Sequence, residues 1–288
     1  MKVVPPSFPT VPGDSSAYLF EDRTCEERRE VHASGPGKIS TFPSPYQDLV
    51  ALRFTDRRPA GRETPVLTAA LRSLVMRQMA DPLPPALHGH GYDGNPHVAY
   101  LGLPVCGSPQ SDGHLVALGV AIPGLEEAER KRVLRGLLGP DAEGTVRLRV
   151  PGYRHRLVLE YRPYERLNRS ASAWHWSRRS RRWVTVTPIV LDRYPKNGDL
   201  AEAVLRSVLL AGLPEPEWIQ ACTEPLTSGA IRLSPGELPR GAQGRLYCHA
   251  RIVFNQPVSG PVLVGAGRYF GVGLLQPEQH EDGHDDEA

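Results

Sequence analysis

Lysine is nearly missing from this chain of 288 residues: only Lys2, Lys38, Lys131 and Lys196 occur among 34 basic residues, and the rest are arginine. Cysteine is sparse as well. Cys25, Cys106, Cys222 and Cys248 are widely spaced, with no Cys-x-x-Cys pair, so the spacing suggests neither a zinc site nor a disulfide scaffold. No apolar run approaches the roughly 20 residues that span a bilayer, and the start, MKVVPPSFPT, lacks the apolar core of a secretory leader. A cytoplasmic, membrane-free location is therefore expected. No dinucleotide fingerprint or carboxylate-rich metal motif stands out, and neither a metal nor an organic cofactor is expected. The His88-x-His90 spacing with Asp93 is the nearest approach to a metal site, but no further ligands accompany it.

What the chain does have is charge placed unevenly. Its formal net charge is only +2. Yet twelve arginines fall between Arg147 and Arg193, counting both, against three acids, Glu160, Glu165 and Asp192. The last stretch, EQHEDGHDDEA (278–288), is acidic and without a sustained apolar pattern, which predicts a disordered tail. With the tail set aside, the remainder is distinctly basic and suits a phosphate-rich partner.

Residues 1–45 mix Pro, Gly, Ser and charge without period and read as an irregular arm. From Asp48 the pattern becomes regular. DLVALRF predicts a strand, and Thr64-Pro65 opens a helix with Leu67, Ala70, Leu71, Leu74 and Val75 on one side. His97–Val105 and His114–Ile122 are nearly unbroken apolar strands. Leu125–Leu138 is a helix stopped by Gly139-Pro140, and Thr145–Val150 and His155–Tyr161 are further strands. The resulting order, β-α-β-β-α-β, is that of a ferredoxin-like unit, here 46–165. A second round follows in 166–277, after an Arg-rich linker. It comprises a strand at Trp183–Leu191 broken near Pro188, a helix capped by Asp199, strands at EWIQACT and Arg245–Phe254, and a last strand beginning at PVLVGAG. The second helix position is taken by loop. The expected fold class is α+β, with tandem ferredoxin-like domains and antiparallel sheets.

Two features point to chemistry. Period two along Arg245–Phe254 sends Leu246, Cys248, Ala250, Ile252 and Phe254 to one face and Arg245, Tyr247, His249 and Arg251 to the other. A solvated polar face is ordinary for such a strand. The rival reading is a sheet surface for RNA, with arginine on phosphate and Tyr or His stacked on unpaired bases. Arg154, Arg156 and Arg162 make a second basic row. The other feature is GAGRYFGVG, in which Gly265, Gly267, Gly271 and Gly273 bracket Arg268 and two aromatics. Such glycines allow either a plain turn or a close backbone approach to phosphate. Trp174, Trp176 and Trp183 interleave with Arg178, Arg179, Arg181 and Arg182, the densest uncompensated charge in the chain and the preferred RNA contact there.

GAGRYFGVG followed by LLQP resembles the glycine-rich signature of the RAMP superfamily of CRISPR proteins. The Gly89–Ala99 run, DGHLVALGVAIP, WVTVTPIVLDRYPK and PVSGPVLVGAGRYFGVG narrow the likeness to the C-terminal, processing-endoribonuclease-like half of the fused backbone subunit of type I-G (formerly I-U) systems, over about residues 46–277. Those subunits carry a further backbone-capping domain ahead of this half, which 45 residues cannot encode. The resemblance implies binding of CRISPR RNA through its repeat-derived 3′ handle, and assembly with other backbone and large subunits of a type I effector. It also implies metal-independent cleavage within the repeat by 2′-OH attack. A histidine would serve as acid or base near neutral pH. His90, in a glycine-rich loop, is the first choice and His97 the second; His97 is in phase with Ala99, Leu101 and Leu103, which also fits a structural histidine. Relatives tend to carry histidines in the turn where this chain has CGSPQSDG, with His114 just beyond. If those histidines serve catalysis, the chain is instead a non-catalytic structural guide-RNA-binding subunit.

Overall fold

The computed structural model describes residues 26–29, 40–88, 94–139, 144–163 and 169–278. Seventeen elements run in chain order. They are β1 (Glu26–Arg29), β2 (Tyr46–Phe54), α1 (Thr64–Gln78), α2 (Pro85–His88), β3 (Ala99–Pro104), β4 (Leu115–Pro123), α3 (Glu127–Leu138), β5 (Thr145–Leu148), β6 (Leu157–Tyr161), α4 (Ala173–Ser177), β7 (Arg179–Thr185), β8 (Ile189–Val190), α5 (Leu200–Leu210), β9 (Pro216–Cys222), β10 (Tyr247–Ser259), β11 (Val262–Leu263) and β12 (Leu274–Pro277).

The first sheet has the order β3-β4-β2-β6-β5, all pairs antiparallel. Counting β2, β3, β4 and β6 as first to fourth, this is 2-3-1-4, the ferredoxin-like arrangement, with β5 added at the edge. Leu67, Leu71 and Val75 of α1 and Val133 and Leu137 of α3 pack with Val50, Leu52, Leu118, Val120 and Ile122 on one face. Arg130 Nε and Nη2 donate to the Asp48 carboxylate at 2.6 and 2.9 Å and fasten α3 to β2.

Helices cover one face of such a sheet, so the other face needs an explanation in a chain whose β3 and β4 are buried throughout. That face carries Ala51, Ala99, Leu101, Leu103, Ala117 and Ala121, and it packs against Trp176, Val186, Leu263 and Leu274. The alanines let the second unit approach closely, and burial on both sides accounts for the continuous apolar runs.

The second sheet repeats the plan, β1-β9-β10-β7-β12-β11, again antiparallel. Counting β7, β9, β10 and β12 as first to fourth gives 2-3-1-4 once more. α5 lies over Ile219, Ala221, Ala250, Ile252 and Phe254. Its start is capped as expected, with Glu202 N–H donating to Asp199 Oδ1 at 2.8 Å. The chain is a tandem ferredoxin-like α+β fold.

Four details differ from the sequence expectations. The fourth strand of the second sheet is LLQP, because PVLVGAG supplies only the two-residue edge β11. β7 begins at Arg179, so the arginines placed in a linker form its first half. Part of the expected irregular arm, Glu26–Arg29, pairs with β9, and Phe42 bridges Val258. Cys222 is disulfide-bonded, which the cysteine spacing did not suggest.

Candidate functional site

At the start of β3 the two units meet in a seam. Tyr100 N–H donates to Tyr269 O at 3.2 Å, and Tyr100 and Phe270 form an isolated parallel bridge. Thr68 Oγ1 of α1 donates to Phe270 O at 3.3 Å. His97, two residues ahead of β3, stacks its imidazole on the Tyr269 ring, with centroids 4.6 Å apart and planes at 16°. The phase inferred from Ala99, Leu101 and Leu103 therefore holds: His97 faces the second unit. It is half-buried rather than sealed in the core. His90 lies outside the described residues. By sequence it belongs to the α2–β3 connection, whose ends are tied by Val98 N–H to Ala86 O at 2.9 Å.

The glycine-rich loop forms the other wall, and its glycines are buried. Gly273 (φ +75°) donates its N–H to Pro188 O, and an added Cβ would lie 1.8 Å from Val264 O. Gly271 (φ +90°) sits 2.8 Å, measured from such a Cβ, from both Thr64 Cγ2 and Thr68 Oγ1. Gly265 and Gly267 likewise press on Val190 and Val272. At these positions the close backbone approach that glycine allows is to the protein itself. Arg268 is turned inward too. Nη1 donates to Gly265 O at 2.9 Å and lies 3.7 Å from Asp192 Oδ1, and the side chain is 17% exposed. Its guanidinium stands 4.8 Å from the Tyr269 centroid, adjoining the His97 stack. Burial pushes the nearby Tyr46 phenol well above its ordinary range; Tyr269 adds to the rise and Arg268 opposes it.

β10 departs most from expectation. His249 is 2% exposed, shares a hydrogen bond with Thr185 Oγ1 at 3.1 Å, and is pushed down to about 4, by burial first and then by Arg232. Tyr247 donates its hydroxyl to Leu233 O. Arg251 spends all three nitrogens, on the Glu278 carboxylate at 2.8 and 3.0 Å, on Gln220 Oε1 and on Leu226 O. Only Arg245 is exposed, with Nη1 3.4 Å from Asp192 O. The cause is the long β9–β10 connection, which buries Ile231, Leu233 and Leu238 in the first core and so covers this face. A period-two count within one strand carries no sign of such a cover.

At the N-terminal half of β7 the arginines remain outside. Arg179 and Arg182 are exposed and have no side-chain partner among the described residues. Arg181 pairs with Glu217 at 2.9 Å and donates to Phe254 O, and Arg178 lies 4.9 Å over the Trp174 ring.

Three residues that sequence reasoning did not single out belong to the seam. Tyr269 stacks on His97. Phe270 is 40% exposed. Arg72 lies 5.8 Å from the Phe270 centroid, with no hydrogen-bond partner among the described residues. The available signal was the i, i+4 row Thr64, Thr68, Arg72, a polar stripe beside the apolar one. Nearby, the Tyr100 hydroxyl is buried without a hydrogen-bond partner among the described residues. His114 lies at the far end of β3, about 20 Å along the strand, beside Asp112. It takes no part in the seam. Among the described residues no three His, Cys, Asp or Glu side chains form a metal-binding group, and no helix is long and apolar enough to cross a membrane.

No curated protein matches the chain. Among solved structures, one described as CRISPR associated protein Cas6 superposes with a TM-score of 0.43 at 12% identity, covering 80% of this chain and 98% of that one. The family model described as CRISPR-associated protein, GSU0054 family, matches residues 34–277 and so takes in the first sheet, the second sheet apart from β1, and the seam. The chain belongs to that CRISPR-associated family.

Proposed function

We propose that the chain binds CRISPR RNA and cleaves its precursor within the repeat at the seam, without metal, and keeps the product in a type I-G effector with backbone and large subunits. The observation that carries this reading is the stack of His97 on Tyr269 beside Arg268. An imidazole is held half-exposed where both units converge, and the Arg72 guanidinium lies over Phe270, the chain neighbour of Tyr269. Membership of a CRISPR-associated family supplies the context.

In the proposed reaction one histidine takes the proton from a ribose 2′-OH. O2′ then bonds to the adjacent phosphorus as the P–O5′ bond breaks, and a second group protonates O5′. The products are a 2′,3′-cyclic phosphate and a 5′-OH. His97 is one of the two proton carriers and His90, seven residues earlier in the same connection, is the other. Arg72 steadies the charge that develops on the phosphorane. Arg179, Arg182 and Arg245 hold the RNA backbone from outside the seam. Single-turnover cleavage of a matching repeat RNA tests this. Cleavage should survive EDTA and vanish when the scissile nucleotide is 2′-deoxy. Activity lost in EDTA and restored by magnesium would overturn the metal-free chemistry.

The turn at Cys106–Gly113 favours the second reading, a guide-binding subunit without catalysis. Cys106 Sγ lies 3.0 Å from Gln276 Oε1, and burial pushes the thiol up to about 12, so that turn is structural here.

A further inference from the structure

Three tryptophans flank the arginines that open β7, and they are treated differently by the fold. Trp176 is fully buried, with Nε1 donating to Ser170 O at 2.9 Å. Trp183 is fully buried, with Nε1 donating to Ser180 O at 2.9 Å. Trp174 is 66% exposed. It does not project from a loose loop. α4 is only five residues long, and the two residues after Trp174 are fixed: His175 is 4% exposed and accepts from Arg169 Nε at 3.0 Å, and Trp176 is a core residue packed on the alanine-lined face of the first sheet. The indole is thus held in place while most of its surface stays in water.

Scattered exposed aromatics are common and mean little by themselves. What sets this one apart is its neighbourhood. Arg178 lies 4.9 Å over the ring, and the side chains of Arg179 and Arg182, on the strand that follows, have no partner among the described residues. The cations are crowded: burial lowers the pKa of Arg169, and Arg178 lowers it further, while His175 is pushed down to about 4 by burial and then by Arg169 and Arg178. Among the described residues the one acid paired with an arginine of the strand is Glu217, on Arg181. Arg179 and Arg182, whose side chains meet no acid among the described residues, favour a polyanion, and a fixed indole favours a flat ring. The combination matches single-stranded nucleic acid, in which unstacked bases meet aromatic side chains while arginines follow the phosphates.

We propose that Trp174, backed by Arg178, is a stacking platform for one unpaired base of the bound RNA, with Arg179 and Arg182 on the adjoining phosphates. This deepens the RNA-binding reading above and rests on it. The platform requires a segment that is not base-paired, so it distinguishes a single strand from a blunt duplex.

The test compares the affinities of the full chain for a repeat-derived single strand and for a blunt RNA duplex, each across a salt series. Trp174→Ala should weaken single-strand binding roughly 5- to 100-fold with an unchanged log–log salt slope, because stacking releases no counterions. Trp174→Phe should recover most of the affinity, and duplex binding should not respond to either change. Arg179→Ala with Arg182→Ala should instead reduce the single-strand slope by about 1.4. Equal single-strand affinities for folded wild type and Trp174→Ala overturn the platform and leave the wider reading standing. If the wild-type chain binds neither RNA, both fall. If Trp174→Ala binds RNA normally and loses only co-purifying effector subunits, the indole is a protein contact and the platform is overturned.

Discussion

The glycine-rich loop and the start of β7 both offer arginine beside aromatic rings, yet the fold uses them oppositely. At the loop, Arg268 is 17% exposed, is committed to Gly265 O and lies near Asp192, and the glycines fit against α1, β8 and their own strands. At β7, the Arg179 and Arg182 side chains stand in solvent without partners among the described residues, and Trp174 is exposed beneath Arg178. The loop is therefore tied in position, setting Tyr269 against His97, whereas Arg179 and Arg182 of the strand are left without such ties among the described residues. Arginine content alone does not separate the two; what separates them is whether each guanidinium already has carbonyls and carboxylates to bind.

The sharpest way to break this contrast is Gly273→Ala. A left-handed φ together with a Cβ 1.8 Å from Val264 O should cost roughly 3–5 kcal/mol, measured by denaturant unfolding. A variant that folds like wild type but loses RNA would return these glycines to the role of a phosphate cradle. Next in size is acid sensitivity. His249 and His175 both titrate near 4 in the folded chain, below the ordinary value of about 6.5. Above pH 6.5 both states are neutral and nothing is lost. As pH falls from there toward 4, the unfolded chain gains protons that the folded chain refuses, so stability declines, by up to about 3 kcal/mol for each histidine. His249→Asn should flatten that decline in thermal melts from pH 7 to pH 4. An unaltered profile would mean that His249 is solvated and open to a ligand after all.

A smaller effect separates the arginines. Arg251→Ala should destabilise the fold by about 1–3 kcal/mol, since it strips partners from Glu278 and Gln220. Arg179→Ala should stay within about 0.5 kcal/mol of wild type. The reverse ranking would show that β10, not β7, presents the free basic surface.

Much of this was readable from sequence, for identifiable reasons. Both β-α-β-β orders follow from local patterns, because helix caps such as Asp199 and stops such as Gly139 act within a few residues. The phase of His97 was readable because Ala99, Leu101 and Leu103 share its period. The burial of His249 and Tyr247 was not, because it depends on Ile231, Leu233 and Leu238 folding back across the sheet from a segment without period. Tyr269 was visible only as part of a motif, since its partner lies 172 positions away, at His97. Arg72 is a single charge on an amphipathic helix, and only the seam gives it meaning.

The division of labour between seam and strand is tested most directly by single-turnover cleavage of the repeat RNA at saturating protein, measured alongside affinity for His97→Ala and for Trp174→Ala. The expected result is a rate lowered about 100- to 10,000-fold by His97→Ala with affinity nearly unchanged, and affinity lowered by Trp174→Ala with the saturated rate unchanged. A full cleavage rate in His97→Ala would contradict the assignment of chemistry to the seam's histidine, and a full rate in both His97→Ala and His90→Ala would remove the connection that carries them from the reaction altogether.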